Sequence, residues 1–436
     1  MFPSIYNNKL LKVFFGSGIT SIVKLITTIL LSKIVAVQLG PSGLGLIGQF
    51  ASFVSLVLIF ANGGFLNGIV TNAANTVNKD ELTQFIQPSL KLTLIISSIL
   101  GGLLIILAPL ISQYLYKSSD YEYLFYLFGA TIILYSFNNF FNSFLNGISD
   151  IKTYNILNVL NSIFSFTVSV VLIYFYGLKG ALLSVILSQT LNSIFSFYYL
   201  LRYKVVFFGF LKSKINIELI NKLVPFIKMT FFSMLLLPLS QFLIRVQIEK
   251  YHGSIQMGLW EALNRISGVY LMVILNVLIL YFLPKFSQIN KKIEVMNEIK
   301  KASILFCFVF ILIGVTFFFT KDTLISLFLS KDFLKISDYM LIQILGDLFR
   351  VIQYLFCYFI ISKSLIKYYF ISELLFFLVY ISISYASIPA FGVKGTIYAY
   401  AIMNLFALIF HFVFVGKIYF EKQTRLRGFL FGNSVN

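Results

Sequence analysis

Apolar runs of about twenty residues or more recur along the whole chain, separated by short polar, glycine or proline segments. A hydrocarbon core roughly 30 Å thick takes about 20 residues of helix to cross. Inside it every backbone N–H and C=O must be satisfied within the segment, which leaves the helix as the natural spanning form. The pattern predicts twelve spans, at 10–37, 44–72, 84–113, 122–147, 153–176, 180–202, 219–248, 256–283, 300–320, 337–361, 366–388 and 394–416. Only 11% of the 436 residues are charged and 59% are hydrophobic, whereas a soluble domain carries about 25% charge. A soluble enzyme and a nucleic-acid-binding domain are therefore excluded. The chain reads as an all-α polytopic membrane protein.

The formal charge of +18 would point to nucleic acid in a soluble chain. Here most of it lies in short loops, where it reports topology and contact with anionic headgroups. One set of loops holds 20 Lys and Arg, including Lys79, Lys152, Arg202, Lys212, Lys292, Lys363, Lys422, Arg425 and Arg427, against 8 in the other set. Both termini are expected on the cytoplasmic side. The first apolar run is too long for a signal-peptide core and lacks a small-residue cleavage site. Cys307 and Cys357 lie in apolar runs and read as small buried hydrophobes.

Two segments repeat at one offset. Ile151-Lys-Thr-Tyr-Asn-Ile156 matches Ile366-Lys-Tyr-Tyr-Phe-Ile371, and Tyr176-Gly-Leu-Lys-Gly180 matches Phe391-Gly-Val-Lys-Gly395, both 215 residues apart. Gly40 and Gly253 pair at 213. These offsets are close to half the chain, so the architecture expected is two six-helix lobes (1–202 and 219–436) joined by a basic linker, 203–218. Six crossings per half make the halves parallel repeats, with a substrate cavity between them.

Charges inside spans carry the functional signal, because each costs at least roughly 2.5–3.5 kcal/mol at the bilayer centre unless paired or hydrated. The cations are Lys24, Lys33, Arg245, Arg265 and Arg350; the carboxylates are Glu261, Asp347 and Glu373. Glu261 with Arg265, and Asp347 with Arg350, have the spacing of local helix pairs. Lys24, Lys33 and Arg245 have no such local partner and are expected to face a hydrated cavity, although Lys33 can instead snorkel to the interface. If all eight share one cavity, its formal charge is +2, which suits a diphosphate better than an organic cation. Arginine adds bidentate phosphate recognition.

Pro238 removes a helix hydrogen bond and predicts a kink in span seven. Gly43-Leu-Gly45-Leu-Ile-Gly48 has the spacing of a dinucleotide fingerprint without the strand that such a fingerprint needs, and reads as a tight turn with close helix packing. No metal site is read from His252 and His411, and no Walker motif is present. Acid, base and metal ligands do not converge in any loop, so no enzyme is expected. Sugar contacts are expected among the many Asn, Ser and Tyr residues, with no spacing rule to single them out.

The chain resembles the Wzx-type O-antigen flippases, of the polysaccharide-transporter branch of the multidrug/oligosaccharidyl-lipid/polysaccharide exporter superfamily. The resemblance spans nearly the whole chain and is strongest at Val23-Lys24, Lys33, Gly40-Pro-Ser-Gly-Leu-Gly-Leu46, Phe65-Leu-Asn-Gly68, Gly180-Ala-Leu-Leu183, Leu283-Pro284, Gly346-Asp347, Ser362-Lys-Ser-Leu365, Tyr369 and Glu373. It implies two lobes around a central cavity in the bacterial inner membrane, working by alternating access. The implied substrate is an undecaprenyl-diphosphate-linked oligosaccharide, and a polymerase and chain-length regulator are the implied partners beside membrane lipids. The basic residues would hold the diphosphate. Asp347 and Glu373 would couple to a proton or cation gradient or compensate the positive charge, as would Glu261, which with Arg265 matches no pattern of the family. No cofactor is implied. The alternatives are a multidrug cation antiporter of the same superfamily, a peptidoglycan-precursor flippase, whose spans outnumber these twelve, and a non-transporting scaffold in a glycan-assembly complex.

Overall fold

The computed structural model describes residues 4–76, 78–289 and 291–419; Lys422, Arg425 and Arg427 of the basic tail lie outside them. Among the described residues all regular structure is helical: α1 (Ser4–Ala61), α2 (Leu66–Asn75), α3 (Lys79–Tyr116), α4 (Glu122–Gly147), α5 (Ile151–Leu200), α6 (Lys204–Phe207), α7 (Ile217–Gln288), α8 (Lys292–Phe328), α9 (Ser337–Ser362), α10 (Ile366–Phe391) and α11 (Val393–Val413). Among the described residues nine helical runs are long and apolar enough to cross a membrane. Three of these are pairs of helices fused at one glycine: Gly40 in α1, Gly177 in α5 and Gly253 in α7. Counting each arm, the described residues hold the twelve crossings expected.

The chain turns back at these glycines. Arg245 and Glu261 lie eight residues on either side of Gly253, yet their side chains meet at 2.5 Å; in a straight helix they would be about 24 Å apart. Likewise Asn192 reaches Ser165 across Gly177 at 2.9 Å. The tips need a left-handed backbone, which costs an L residue roughly 1–2 kcal/mol and glycine nothing.

The internal repeat is visible in the same dihedrals. Gly40 (φ 63°, ψ −167°) matches Gly253 (φ 78°, ψ 174°). Gly177 (φ 54°, ψ −131°) matches Gly392 (φ 56°, ψ −133°), which separates α10 from α11. A third pair was not expected: Ser149 (φ 58°) and Ser364 (φ 56°) are also 215 residues apart. Their turns carry the same bonds, Ser149 N–H to Asn146 O and Asp150 N–H to Leu145 O, against Ser364 N–H to Ile361 O and Leu365 N–H to Ile360 O.

Some expectations are corrected. The run 44–72 is broken at Asn62-Gly63-Gly64, whose glycines have φ of 64° and 68°, and α2 follows as a separate short helix. The asparagine–glycine turn signal outweighed the apolar residues on both sides. The span read at 300–320 extends over all of α8. Pro238 lies within α7, and the non-helical dihedrals inside that helix are those of Gly253.

The chain forms two compact units, one of Met1–Leu39 and Leu46–Phe242, the other of Gly40–Gly45 and Leu243–Asn436. The core of the first unit is phenylalanine-rich. Phe137, Phe140, Phe141 and Phe144 of α4 gather with Phe65, Leu223 and Phe207, and Phe144 meets Phe207 edge to face at 4.9 Å. Phe207 belongs to the basic stretch after span six, so this stretch is anchored in the unit. Lys91 of α3 fixes it further, donating to the carbonyls of Leu211 and Ser213 at 2.9 Å each. In the second unit α9 and α11 bury Val351, Leu355, Ile397 and Ala407. Here the tip at Gly40–Gly45 packs on the tip at Gly253: Ser42 and Ser254 share a hydrogen bond of 2.6 Å. A Cβ on Gly45 would lie 2.7 Å from the Gly258 nitrogen. Exposed Ile99, Ile106 and Leu110 on α3, and Phe308, Ile311 and Phe319 on α8, form apolar outer faces suited to lipid.

Candidate functional site

Lys24 lies in the first arm of α1 and opens into a cavity of about 290 Å³ in the first unit. Four helical stripes build its wall. Lys24, Thr27, Thr28 and Leu31 come from α1; Asn138, Asn139 and Asn142 from α4; Asn158, Asn161, Ser162 and Ser165, with Phe166, from the first arm of α5; and Gln189 and Asn192 from its second arm. The first and third stripes have the i, i+3, i+4, i+7 spacing of one helix face. The Gly177 tip brings the two arms of α5 together, which is how Asn192 comes to donate to Ser165. Asn138 accepts from Ser196 at 2.5 Å and so is fixed from behind. The Lys24 ammonium is exposed and makes no hydrogen bond or ion pair among the described residues. It is the sole charged residue in the wall.

These asparagines are the part of the site that sequence reasoning missed. A signal was present: Asn158, Asn161, Ser162 and Ser165 place four polar side chains on one face of a span. Because asparagine and serine occur throughout the spans, the residue types drew attention and the helical period did not.

Lys33 follows Lys24 by nine residues, which at 3.6 residues per turn places it on the opposite face of the arm. It is half-buried and is not part of the cavity wall.

The other six charged residues lie in the second unit, where they form two groups. In the first, Arg245 Nη2 donates to Glu261 Oε2 at 2.5 Å and Arg265 Nε donates to Glu261 Oε1 at 2.8 Å. The Arg245 guanidinium also lies 4.9 Å from the Trp260 ring centroid. The expected Glu261–Arg265 pair is thus formed. Arg245, expected to face water, is instead buried at 4% exposure with Glu261 as its partner. Sequence spacing along one helix could not give that partner, because the contact crosses the Gly253 tip.

In the second group Asp347 is fully buried on α9 and accepts from three hydroxyls on two other helices: Ser267 and Tyr270 of α7, and Tyr400 of α11, the last at 2.7 Å. Gln343 Nε2 stands 3.5 Å from its other side. The expected Asp347–Arg350 ion pair is not formed within 4 Å among the described residues; Arg350 reaches the Tyr400 hydroxyl at 3.4 Å, so a tyrosine bridges the two. A ring of hydroxyl donors satisfies the carboxylate from more directions than one guanidinium on its own helix can. Glu373 of α10 is half-buried and forms no ion pair within 4 Å among the described residues.

Chemically, the second unit holds Glu261 paired with two arginines and Asp347 satisfied by hydroxyl donors. The first unit offers an open polar cavity with one available cation.

A family described as "Polysaccharide biosynthesis protein" has a model that matches residues 34–338. The chain is 25% identical over 392 residues to the "Lipid III flippase" of Escherichia coli (strain K12) and to that of Shigella flexneri, covering 90% of this chain and 94% of each relative. Among solved structures, it is similar to an inward-facing multidrug resistance MATE family transporter of the MOP superfamily (TM-score 0.74, 17% identity, 92% of this chain and 96% of that one). It is also similar to the lipid II flippase MurJ in an inward closed conformation (TM-score 0.67, 16% identity, 98% and 94%). At these identities the solved structures establish the shared fold.

Proposed function

The chain belongs to this polysaccharide biosynthesis protein family, and on that premise we propose that it is a flippase for an undecaprenyl-diphosphate-linked oligosaccharide. It moves the headgroup from the cytoplasmic to the periplasmic leaflet of the bacterial inner membrane by alternating access of two six-helix lobes, with both termini cytoplasmic. The relatives named lipid III flippases support this reading over nearly the full chain.

The observation that carries the proposal is the Lys24 cavity. A site with one unpaired cation and no carboxylate in its wall attracts an anionic, hydrogen-bonding headgroup and disfavours an organic cation. That weighs against a multidrug cation antiporter, although that class shares the fold. Lys24 is the residue that holds the diphosphate most directly. Lys33, Arg245, Arg265 and Arg350 add positive potential, the two paired arginines less than the others because Glu261 offsets them. Asp347 and Glu373 are the carboxylates through which a proton or cation gradient would act, which requires that their occupancy differ between inward and outward states. A polymerase and a chain-length regulator are the partners proposed.

Transport in proteoliposomes tests the function. The purified chain is reconstituted with an undecaprenyl-diphosphate oligosaccharide, and an added enzyme modifies headgroups exposed outside. Translocation by wild type, lost in a folded Lys24→Ala variant and restored in part by Lys24→Arg, is the result expected. Efflux of cationic dyes with no movement of any lipid-linked glycan would establish the antiporter instead. Glycan movement unaffected by Lys24→Ala would keep the flippase and remove Lys24 from its site.

A further inference from the structure

The wall of the Lys24 cavity is rich in acceptors. Asn142, Asn161 and Asn192 each have a buried carboxamide oxygen that accepts no hydrogen bond, and Asn192 is fully buried. They hold three of the five such carboxamide oxygens among the described residues; the others belong to Gln49 and Asn62. The Asn142 amide has a fixed orientation, because its partner is a carbonyl that can only accept. Asn142 Nδ2 donates to the Asn138 carbonyl at 2.9 Å, and Asn192 Nδ2 donates to Ser165 Oγ at 2.9 Å. Turning the Asn142 amide over would set oxygen against oxygen.

The hydroxyls of the wall add acceptors of their own. Thr27 donates to the Val23 carbonyl, Thr28 to the Lys24 carbonyl and Ser162 to the Asn158 carbonyl, at 2.9, 2.7 and 2.8 Å. Their protons are directed into their own helices, so lone pairs remain for the cavity. A buried acceptor left unmet is costly, and an acceptor-rich wall with one ammonium selects a ligand that brings several donors and one anionic group.

An ionised phosphate brings acceptors only, so it can meet the Lys24 ammonium and the amide N–H groups of Asn139 and Gln189 but not the three unmet oxygens. A sugar ring brings hydroxyl donors in several directions, and Phe166 offers its C–H face an apolar surface. The cavity, about 290 Å³, is at the small end of ligand pockets, which start near roughly 300 Å³. It holds one or two rings, and because the cavity is open the rest of a glycan extends beyond it.

We infer that this cavity binds the sugar directly attached to the phosphate, its hydroxyls donating to Asn142, Asn161 and Asn192 while Lys24 holds the adjoining phosphoryl oxygen. The biological ligand rests on the flippase reading above. The asparagines then become specificity-determining residues that read the first sugar of the glycan and ignore the distal ones.

The test compares two soluble probes on the purified full chain: a short-chain prenyl diphosphate bearing one N-acetylhexosamine, and the same prenyl diphosphate without sugar. Wild type binds the sugar-bearing probe more tightly. Asn161→Ala, at a half-buried position, narrows that preference by about two- to tenfold, the size of one net hydrogen bond, and leaves the sugarless probe unaffected. Lys24→Ala weakens both probes. Asn192→Ala is the second variant and should act like Asn161→Ala; size-exclusion profiles confirm that each variant is folded. Equal binding of the two probes to wild type, or asparagine variants that leave the preference unchanged, would overturn the inference. Glycan flipping by wild type is measured alongside. Flipping without sugar preference removes the inference and keeps the flippase; sugar preference without flipping removes the flippase and keeps the site.

Discussion

Arg245 and Glu261 clasp each other across the tip at Gly253, which lies midway between them in the sequence. The pair does two things. It neutralises two charges that would otherwise be stranded in a buried setting, and it ties the two arms of α7 together below their turn. Arg265 adds a second bond to the same carboxylate from the arm that carries it.

Removing Glu261 alone should be worse than removing both partners. Glu261→Ala leaves the buried Arg245 charge unmet and is expected to cost about 3–5 kcal/mol. Arg245→Ala is expected to cost less, because Arg265 still holds Glu261, and replacing Arg245 and Glu261 together by apolar residues of similar size is expected to cost less than Glu261→Ala alone. Thermal unfolding of the detergent-purified variants measures this. A Glu261→Ala variant as stable as wild type would show that the pair is not a structural element.

Trp260 is the one tryptophan of the chain and lies against the Arg245 guanidinium. Its fluorescence should therefore report on that pair. Arg245→Met is expected to change the emission intensity of the folded protein, and Lys24→Ala, in the other unit, to leave it unchanged. An identical spectrum for Arg245→Met would mean that the stacked geometry is not kept in solution.

Asp150 caps the start of α5, accepting from the Thr153 N–H at 3.1 Å and from the Tyr203 hydroxyl. Burial alone would raise its pKa. The Tyr203 hydroxyl, the side-chain and backbone donors of Thr153 and the charge of Arg202 outweigh that and hold the carboxyl below its ordinary value. The stabilisation is thus present above the unfolded value of about 3.9 and is lost as pH falls through the lowered folded value. Tyr203→Phe should lower the melting temperature at pH 7, and the gap to wild type should close on acidification below roughly pH 4. A gap independent of pH would assign the effect to lost packing.

Tyr400 stands between Asp347 and Arg350. Asp347→Asn keeps a polar group for the three hydroxyls and is expected to fold; if Asp347 couples transport to a gradient, the variant should flip substrate at a rate no longer dependent on that gradient. Dependence equal to wild type in both Asp347→Asn and the double variant with Glu373→Gln would remove both carboxylates from coupling.

The helices and the repeat were legible because their signals are local. Twelve apolar runs mark twelve crossings, and glycines at 40, 177, 253 and 392 mark tips that only their backbone freedom explains. Contacts across a tip were half-legible: once Gly253 is taken as a turn, counting outward pairs Arg245 with Glu261. The hydroxyl ring around Asp347 was not legible, since Ser267, Tyr270 and Tyr400 meet it only when α7, α9 and α11 pack. The break at Asn62-Gly63-Gly64 was misread because apolar residues on both sides hid a turn whose chemistry was in plain view.

The tip at Gly40–Gly45 has a consequence for how the protein is made. Its packing partner includes Gly258, which leaves the ribosome 213 residues after Gly45, an interval of about 10–40 s at ordinary rates of synthesis. During that interval the first hairpin is inserted with its crown uncovered, and its small residues present an open groove in place of a finished joint. The beginning of the polypeptide thus waits on its second half to be completed, so a nascent chain released early would expose an unmated surface for quality-control proteases to find.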